Sequence, residues 1–469
     1  MLRFIIFLWF VPFSIIANDF NCYTVIAGRK TTVDGSVMMA HNEDDGGEQM
    51  LNWYRVPAQK HSPGENMLFR NGGKMAMPAG TNGYLWLELP KMEVSDGYLN
   101  DQGVAIASDG CPSREDREDY TDGGVVYEVR QLTAMQATSA RHAVEIIGAL
   151  VEKYGYASSG RTYCVADAQE AWAVAVVQGR HWVAQRIPDT HVMALANAYT
   201  IDRVDLSDRE NFAGSADLIQ YATERGWYDP AKDGDFSFRN AYGSPQSQQH
   251  PNNISRAWLP VCKLSGKEYP QNSDLPFTFE STKKITLSVM MEILSSHYYE
   301  TPWKDEKVNI PHNTRGSICS STTQHGSVFQ LRGNMPVEIG SVAWIAPFHP
   351  CMNVFVPWYI GINSAPDDYA RYNSYEKALT GHFTDTENFR TKFPDKAYWK
   401  YVDHSERIKE DYMARMQEIR PQNEKKQKEL LERQPAFEAE MISLYQKDKE
   451  QCRSALTAYT FSCLPEWNR

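Results

Sequence analysis

A ladder of short apolar runs, interrupted by turn residues, starts at Cys22 and continues to about Ile201, and it restricts the chain to folds built on sheets. Cys22–Gly28 and Ser36–His41 are joined around Asp34-Gly35, a dipeptide suited to a hairpin turn. Tyr84–Leu89 and Gly103–Ser108 follow. The period then changes over Thr133–Tyr154, where Ala143, Ile146, Ile147 and Leu150 fall on one helical face. A meander of Thr162–Asp167, Ala171–Gln178, His181–Ile187 and His191–Thr200 comes next, with short polar turns between the strands. Strands, a helical layer and more strands predict an α+β architecture in which helices cover sheets. Residues 202–300 read as a loop-rich helical insertion, and 315–362 return to strands. From about Tyr401 the chain is charged and helical, with Ile408, Tyr412, Met416 and Ile419 on one face. Pro421 and Pro435 are expected to break this tail into short helices. Glu424–Glu432 reads as a solvated helix face. No Gly/Ser-rich linker sets the tail apart, so it is expected to pack on the same domain. No repeat with a period of about 20–50 residues is present, which argues against a solenoid.

The segment in front of the ladder reads as a leader. Arg3 precedes an apolar run, Phe4–Ile16, and the small residue Ala17 follows it. A bilayer span takes about 20 residues, so this run is too short for one, and Pro12 interrupts it. Asp19, Phe20 and Asn21 stand where a lipidation signal needs small residues. Residues 1–17 are therefore expected to be a signal peptide and 18–21 a short pro-segment. Removal of both makes Cys22 the first residue of the mature chain. Its thiol and α-amine then place a nucleophile and a base on one residue. The plainer alternative is a buried strand cysteine behind a ragged terminus. Either way the expected location is outside the cytoplasm, periplasmic or secreted, with no membrane attachment once the leader is gone.

The formal net charge of −11 and the lack of a long basic stretch argue against nucleic acid as a partner. The eight cysteines, at 22, 111, 164, 262, 319, 351, 452 and 463, form no Cys-x-x-Cys pair, so no zinc site is expected. Cys452 and Cys463 are read as a candidate disulfide. With Cys22 reserved for chemistry, at least one of the other seven stays unpaired. A homo-oligomer is compatible with the sequence.

Four segments carry side chains suited to chemistry. His41-Asn42-Glu43-Asp44-Asp45 ends the second apolar run, and a hairpin would bring it near Cys22. A carboxylate there can hold an amine; a solvent-exposed acidic turn is the bland alternative. Asn197, at the end of an apolar run, can donate to a developing oxyanion or simply start a turn. Arg256 can bind a carboxylate or form a surface ion pair. Asn253-Ile254-Ser255 fits the glycosylation triplet, a weak signal.

Cys22-Tyr23-Thr24-Val25-Ile26-Ala27-Gly28, Asp34-Gly35-Ser36 and Ala40-His41-Asn42-Glu43-Asp44 together resemble the opening of cysteine dipeptidases of the dipeptidase A and secernin type. These belong to the N-terminal-nucleophile (Ntn) hydrolases, with penicillin V acylase and bile salt hydrolase. Leu99–Ile106, Ala196-Asn197, Ser321–Gly326, Ala343-Trp344 and Val356–Tyr359 add support, and the resemblance runs through most of residues 22–363. It implies a four-layer αββα sandwich over residues 22–400, with residues 401–469 as a helical extension. It also implies Cys22 as nucleophile, Asp44 as the carboxylate near its α-amine, Asn197 in the oxyanion hole and Arg256 as an active-site arginine. His41, Asn42 and Glu43 are candidate substrate contacts. His41 stands where the relatives carry arginine. Ser108-Asp109-Gly110 falls where the acylases place a second oxyanion asparagine, and no role is assigned there.

The reading is an exported cysteine hydrolase of small peptides, most of all dipeptides, needing no metal or organic cofactor. An amidase for N-acyl amino acids or penicillin-type amides is the catalytic alternative. A non-catalytic secreted protein that keeps the fold is the other.

Overall fold

The computed structural model describes residues 22–44, 51–69, 71–89, 94–270, 273–297, 312, 317–370, 390–391 and 393–465. The expected leader, the pro-segment and Asp45 lie outside them.

Two antiparallel sheets form the centre. One has seven strands, in the spatial order Thr278–Glu280, His191–Leu195, Tyr23–Ala27 (β1), Val37–Asp44 (β2), Thr323–Leu331, Ser341–Pro347 and Val356–Tyr359. The other has eight, in the order Phe212–Gly214, Trp182–Ile187, Ala171–Gly179, Tyr156–Ala166, Ala105–Gly110, Val94–Asn100, Tyr84–Leu89 and Asn52–Val56. Every residue of β1 and β2 is buried. Such strands are covered on both faces, which is why β1 reads as a continuous apolar run rather than an alternating one.

Helices close both outer faces. Glu128–Gln136 (α1) and Ala140–Tyr154 (α2) pack on the eight-stranded sheet through Val129, Leu132, Val144, Ile147 and Val151, which meet Tyr98, Tyr163, Trp172 and Val174. The single helix expected over Thr133–Tyr154 is two, because Ser139 leaves the helical conformation and its hydroxyl caps the His142 amide at 3.1 Å. On the far side, Pro251–Ser265 and Leu287–Leu294 lie against the seven-stranded sheet. The result is an αββα sandwich. The described part of residues 202–300 is loop-rich with helices, as expected, but Phe212–Gly214 and Thr278–Glu280 each add an edge strand.

The tail packs on this sandwich. Trp399, Tyr401, Leu430, Met441, Leu456 and Tyr459 share one hydrophobic core with Val25, Ile26 and Trp344. Pro421 and Pro435 do not break it: both lie inside one helix of 36 residues, Tyr412–Lys447. Both prolines are exposed, so water can take the carbonyls their missing N–H groups leave free, and proline's φ is compatible with a helix. Cys452 and Cys463 are not a disulfide; all eight cysteines are free thiols. The two share the helix Lys449–Cys463. Eleven residues at about 1.5 Å each hold them roughly 16 Å apart, beyond any disulfide. No helix among the described residues is long and apolar enough to cross a membrane.

Candidate active site

Asp34 and Gly35 shape the loop between β1 and β2. Asp34 Oδ1 accepts from the Ser36 amide and hydroxyl at 3.1 and 2.6 Å, and Gly35 takes φ 75°. The strands then pair with Thr24 opposite His41 and Tyr23 opposite Asn42. Continued by one residue, this register sets Cys22 opposite Glu43. The two-residue period puts Cys22, Thr24, His41 and Glu43 on one face, toward the strand Ala105–Gly110.

That face carries a buried chain of polar contacts. The Cys22 thiol donates to Glu43 Oε1 at 3.1 Å, and Glu43 Oε2 lies 3.0 Å from His41 Nε2. His41 Nδ1 is 2.9 Å from Thr24 Oγ1, whose proton goes to Asp109 Oδ2 at 2.5 Å. A hydroxyl has one proton, so His41 Nδ1 donates to Thr24, and Nε2 donates to the Glu43 carboxylate. With that assignment both ring nitrogens of His41 act as donors.

Asp44 sits at a strand irregularity. Thr323 pairs with Asp44 and His325 with Glu43, which leaves Gln324 as a bulge. The loop before that strand wraps the carboxylate: Ser320, Thr323 and Thr322 hydroxyls reach Oδ1 at 2.5, 2.7 and 3.2 Å. Oδ2 is buried and has no hydrogen-bond partner among the described residues. Burial pushes the Asp44 carboxyl up to about 6, against the Ser320 and Thr323 hydrogen bonds and the Arg256 charge. Asp109 is likewise pushed up to about 6 by burial, with His41 opposing. The Cys22 thiol is held well above its usual range by burial and then by Glu43, Asp109 and Asp44. These causes favour the protonated thiol.

Arg256 ties the cluster together from the helix Pro251–Ser265. Pro251 opens this helix and Gly266, at φ 65°, closes it. Arg256 is fully buried. It donates to the Cys22 carbonyl at 2.9 Å, to Asn197 Oδ1 at 2.9 Å and to Asn253 Oδ1 at 2.7 Å. Asn197 follows the strand His191–Leu195 at φ 49°, a conformation asparagine tolerates, and its amide donates to Gly110 O at 2.9 Å.

The structure thus brings Cys22, Asp44, Asn197, Arg256, His41 and Glu43 into one buried neighbourhood. Asn42 is directed elsewhere: it alternates to the opposite face of β2, and its amide braces Leu294 O and Ile318 O at 2.8 and 2.9 Å. Asp109 joins the site although its position suggested no role. Arg161 joins it too: burial lowers its pKa, but Tyr156 and Tyr163, and then Cys22 and Glu43, outweigh this and raise it. His325 shares the Glu43 face, and neither of its ring nitrogens has a partner among the described residues. Neither Arg161 nor His325 carries a local sequence signal; only strand pairing places them. A second cluster lies apart from the first: His297, His312, Cys319 and Cys351 hold their ligand-type atoms within 4.8 Å of one another. The absence of Cys-x-x-Cys spacing concealed it. A cavity of 1180 Å³ borders this second cluster rather than Cys22.

Comparison with known proteins follows this geometry. A probable dipeptidase of Latilactobacillus sakei is 26% identical over 74% of this chain and 76% of its own length. Probable dipeptidase B of Lactococcus lactis subsp. lactis is 27% identical, over 86% and 88%. Among solved structures, penicillin V acylase from Agrobacterium tumefaciens aligns over 70% of this chain and 82% of its own, with 11% identity and a TM-score of 0.36. The profile of peptidase family C69 matches residues 21–411, from one residue before the thiol through the sandwich, and the chain belongs to that family.

Proposed function

We propose that this peptidase is an exported cysteine dipeptidase that works through Cys22 as an N-terminal nucleophile. The convergence of the Cys22 thiol with Glu43, Asp44, Asn197 and Arg256 carries the reading. The dipeptidase names of its relatives support the substrate class. Removal of residues 1–21 frees the α-amine. That amine, with an ordinary pKa of about 7.7–8.0, takes the thiol proton. Asp44 Oδ2, which lacks a partner among the described residues, is the acceptor that orients it. The thiolate adds to the peptide carbonyl, and the Asn197 amide and backbone N–H groups take up the oxyanion. The amine-side amino acid leaves with the proton, and water cleaves the thioester.

The carboxylates Glu43, Asp44 and Asp109 favour a substrate with a free ammonium group. Buried orphan atoms on Asp44, Asp109 and His325 are the partners a small polar substrate would satisfy. The test combines intact-mass analysis of the exported protein with turnover of free dipeptides. Mature chains starting at Cys22 and active on dipeptides are expected. An active chain still carrying residues 18–21 would sink the free-amine mechanism.

A further inference from the structure

The dipeptidase chemistry leaves the second cluster without a use. His297 lies three residues past the helix Leu287–Leu294, Cys319 precedes the strand Thr323–Leu331, and Cys351 follows the strand Ser341–Pro347. His312 lies between His297 and Cys319 in the sequence. His297, His312 and Cys319 are buried, and Cys351 is partly so. Three atoms converge on His312 Nε2: His297 Nε2 at 3.1 Å, Cys319 Sγ at 3.3 Å and Cys351 Sγ at 3.4 Å. One imidazole nitrogen offers one proton or one lone pair, so it cannot hydrogen-bond to all three. Hydrogen bonds to His312 Nε2 alone do not account for this packing; an ion shared by the four groups would. With metal–nitrogen bonds of about 2.0 Å and metal–sulfur bonds of about 2.3 Å, the edges of a ligand tetrahedron span roughly 3.3–3.8 Å. The two sulfur contacts fall in that range, the His297 contact is slightly shorter, and all four atoms lie within 4.8 Å of one another.

We propose that His297, His312, Cys319 and Cys351 bind one zinc ion. Two neutral imidazoles and two thiolates suit tetrahedral zinc, and the thiolates cancel the ion's charge in a buried place. Four protein ligands close the coordination shell, which makes the ion structural rather than catalytic. It would staple the helix end, His312 and two strand connections. The Tyr412 ring lies 6.0 and 5.9 Å from the His297 and His312 rings, so the start of the helix Tyr412–Lys447 covers the same point. His297 and Cys351 line the 1180 Å³ cavity, which gives the metal a route in.

The test uses full-length protein purified without a metal-affinity tag. Elemental analysis is expected to find about one zinc per chain, and chelation is expected to lower the melting temperature. Cys351→Ser and His312→Ala should each weaken zinc binding more than about 100-fold, while Cys262→Ser, a thiol outside the cluster, should keep it. If those variants fail to fold, cobalt(II) substitution of the wild type decides. A tetrahedral spectrum with thiolate charge-transfer bands supports the site; an octahedral spectrum without them overturns it. Folded protein that binds no added zinc overturns it, as does a Cys319–Cys351 disulfide found by mass spectrometry, or full zinc content in both variants.

Discussion

Replacing Asp44 by asparagine separates its two oxygens. The three hydroxyls of Ser320, Thr322 and Thr323 all donate to Oδ1, and an amide oxygen in the same place can still accept from them. The amide nitrogen then occupies the position of Oδ2. The loss is confined to the atom proposed to orient the Cys22 amine or a substrate ammonium. A hydrogen bond to a charged group is worth about 1.5–3 kcal/mol, which is about 10- to 150-fold in kcat/KM. The assay is turnover of free dipeptides by protein with a verified Cys22 terminus, measured from about pH 5 to pH 8. In the proposed mechanism Asp44 works as a carboxylate, and burial places it near 6 while the Cys22 nitrogen is an amide. An ammonium beside Oδ2 would favour the charged form, so a chain starting at Cys22 is expected to show a lower Asp44 pKa. Wild-type activity should fall as the pH drops through that range, and the variant should lack this Asp44 component. N-acetylated dipeptides distinguish the two amines: if Asp44 reads the substrate, acetylation removes most of the difference between wild type and variant. Asp45→Asn removes the same charge from the neighbouring position and should matter much less. Equal losses in the two variants, or no loss in either, would refute the placement.

Further outcomes follow from the same geometry. Cys22→Ala in correctly processed protein should abolish turnover and leave the circular dichroism spectrum unchanged, whereas Cys22→Ser should keep at most a trace, an alcohol being the poorer nucleophile. Asp109 binds its proton more tightly folded than unfolded, so its contribution to stability is lost as the pH rises from about 4 through about 6. Asp109→Asn should therefore raise unfolding free energy at neutral pH by roughly 1–3 kcal/mol and flatten its acid dependence, read by urea titration at several pH values. Glu438 pairs with Arg332 at 2.5 and 2.6 Å and accepts from Tyr359 and Gln434, inside the seam between the tail and the seven-stranded sheet. Glu438→Ala should cost about 3–5 kcal/mol by the same titration, because it strands a buried guanidinium.

The local parts of this molecule were legible in the sequence and the long-range parts were not. Asp34-Gly35 announces a turn because aspartate and glycine shape the backbone by themselves. The turn in turn brings the segment His41–Asp44 back beside Cys22. Asn197 and Arg256 could be named as candidates from the residues but joined to one site only through resemblance, since one follows a strand and the other sits on a helix 59 residues later that the sequence alone does not dock. Asp109 reaches the site from the opposite sheet, a relation no spacing encodes. Pro421 and Pro435 misled because their effect depends on solvent exposure, which is a tertiary property. His297, His312, Cys319 and Cys351 have no regular interval because their meeting point is set by two strand ends and a helix end.

The bond from Arg256 to the Cys22 carbonyl bears on what processing does to the chain. A newly cut terminus normally frays, and fixing a backbone residue takes about 1–2 kcal/mol of conformational entropy. Here the peptide group that would follow the proposed cut is gripped by a buried guanidinium 234 residues away. Its loss of freedom occurs once, during folding. Under the proposed mechanism, the freed amine and thiol would therefore start each turnover with almost no search left to make.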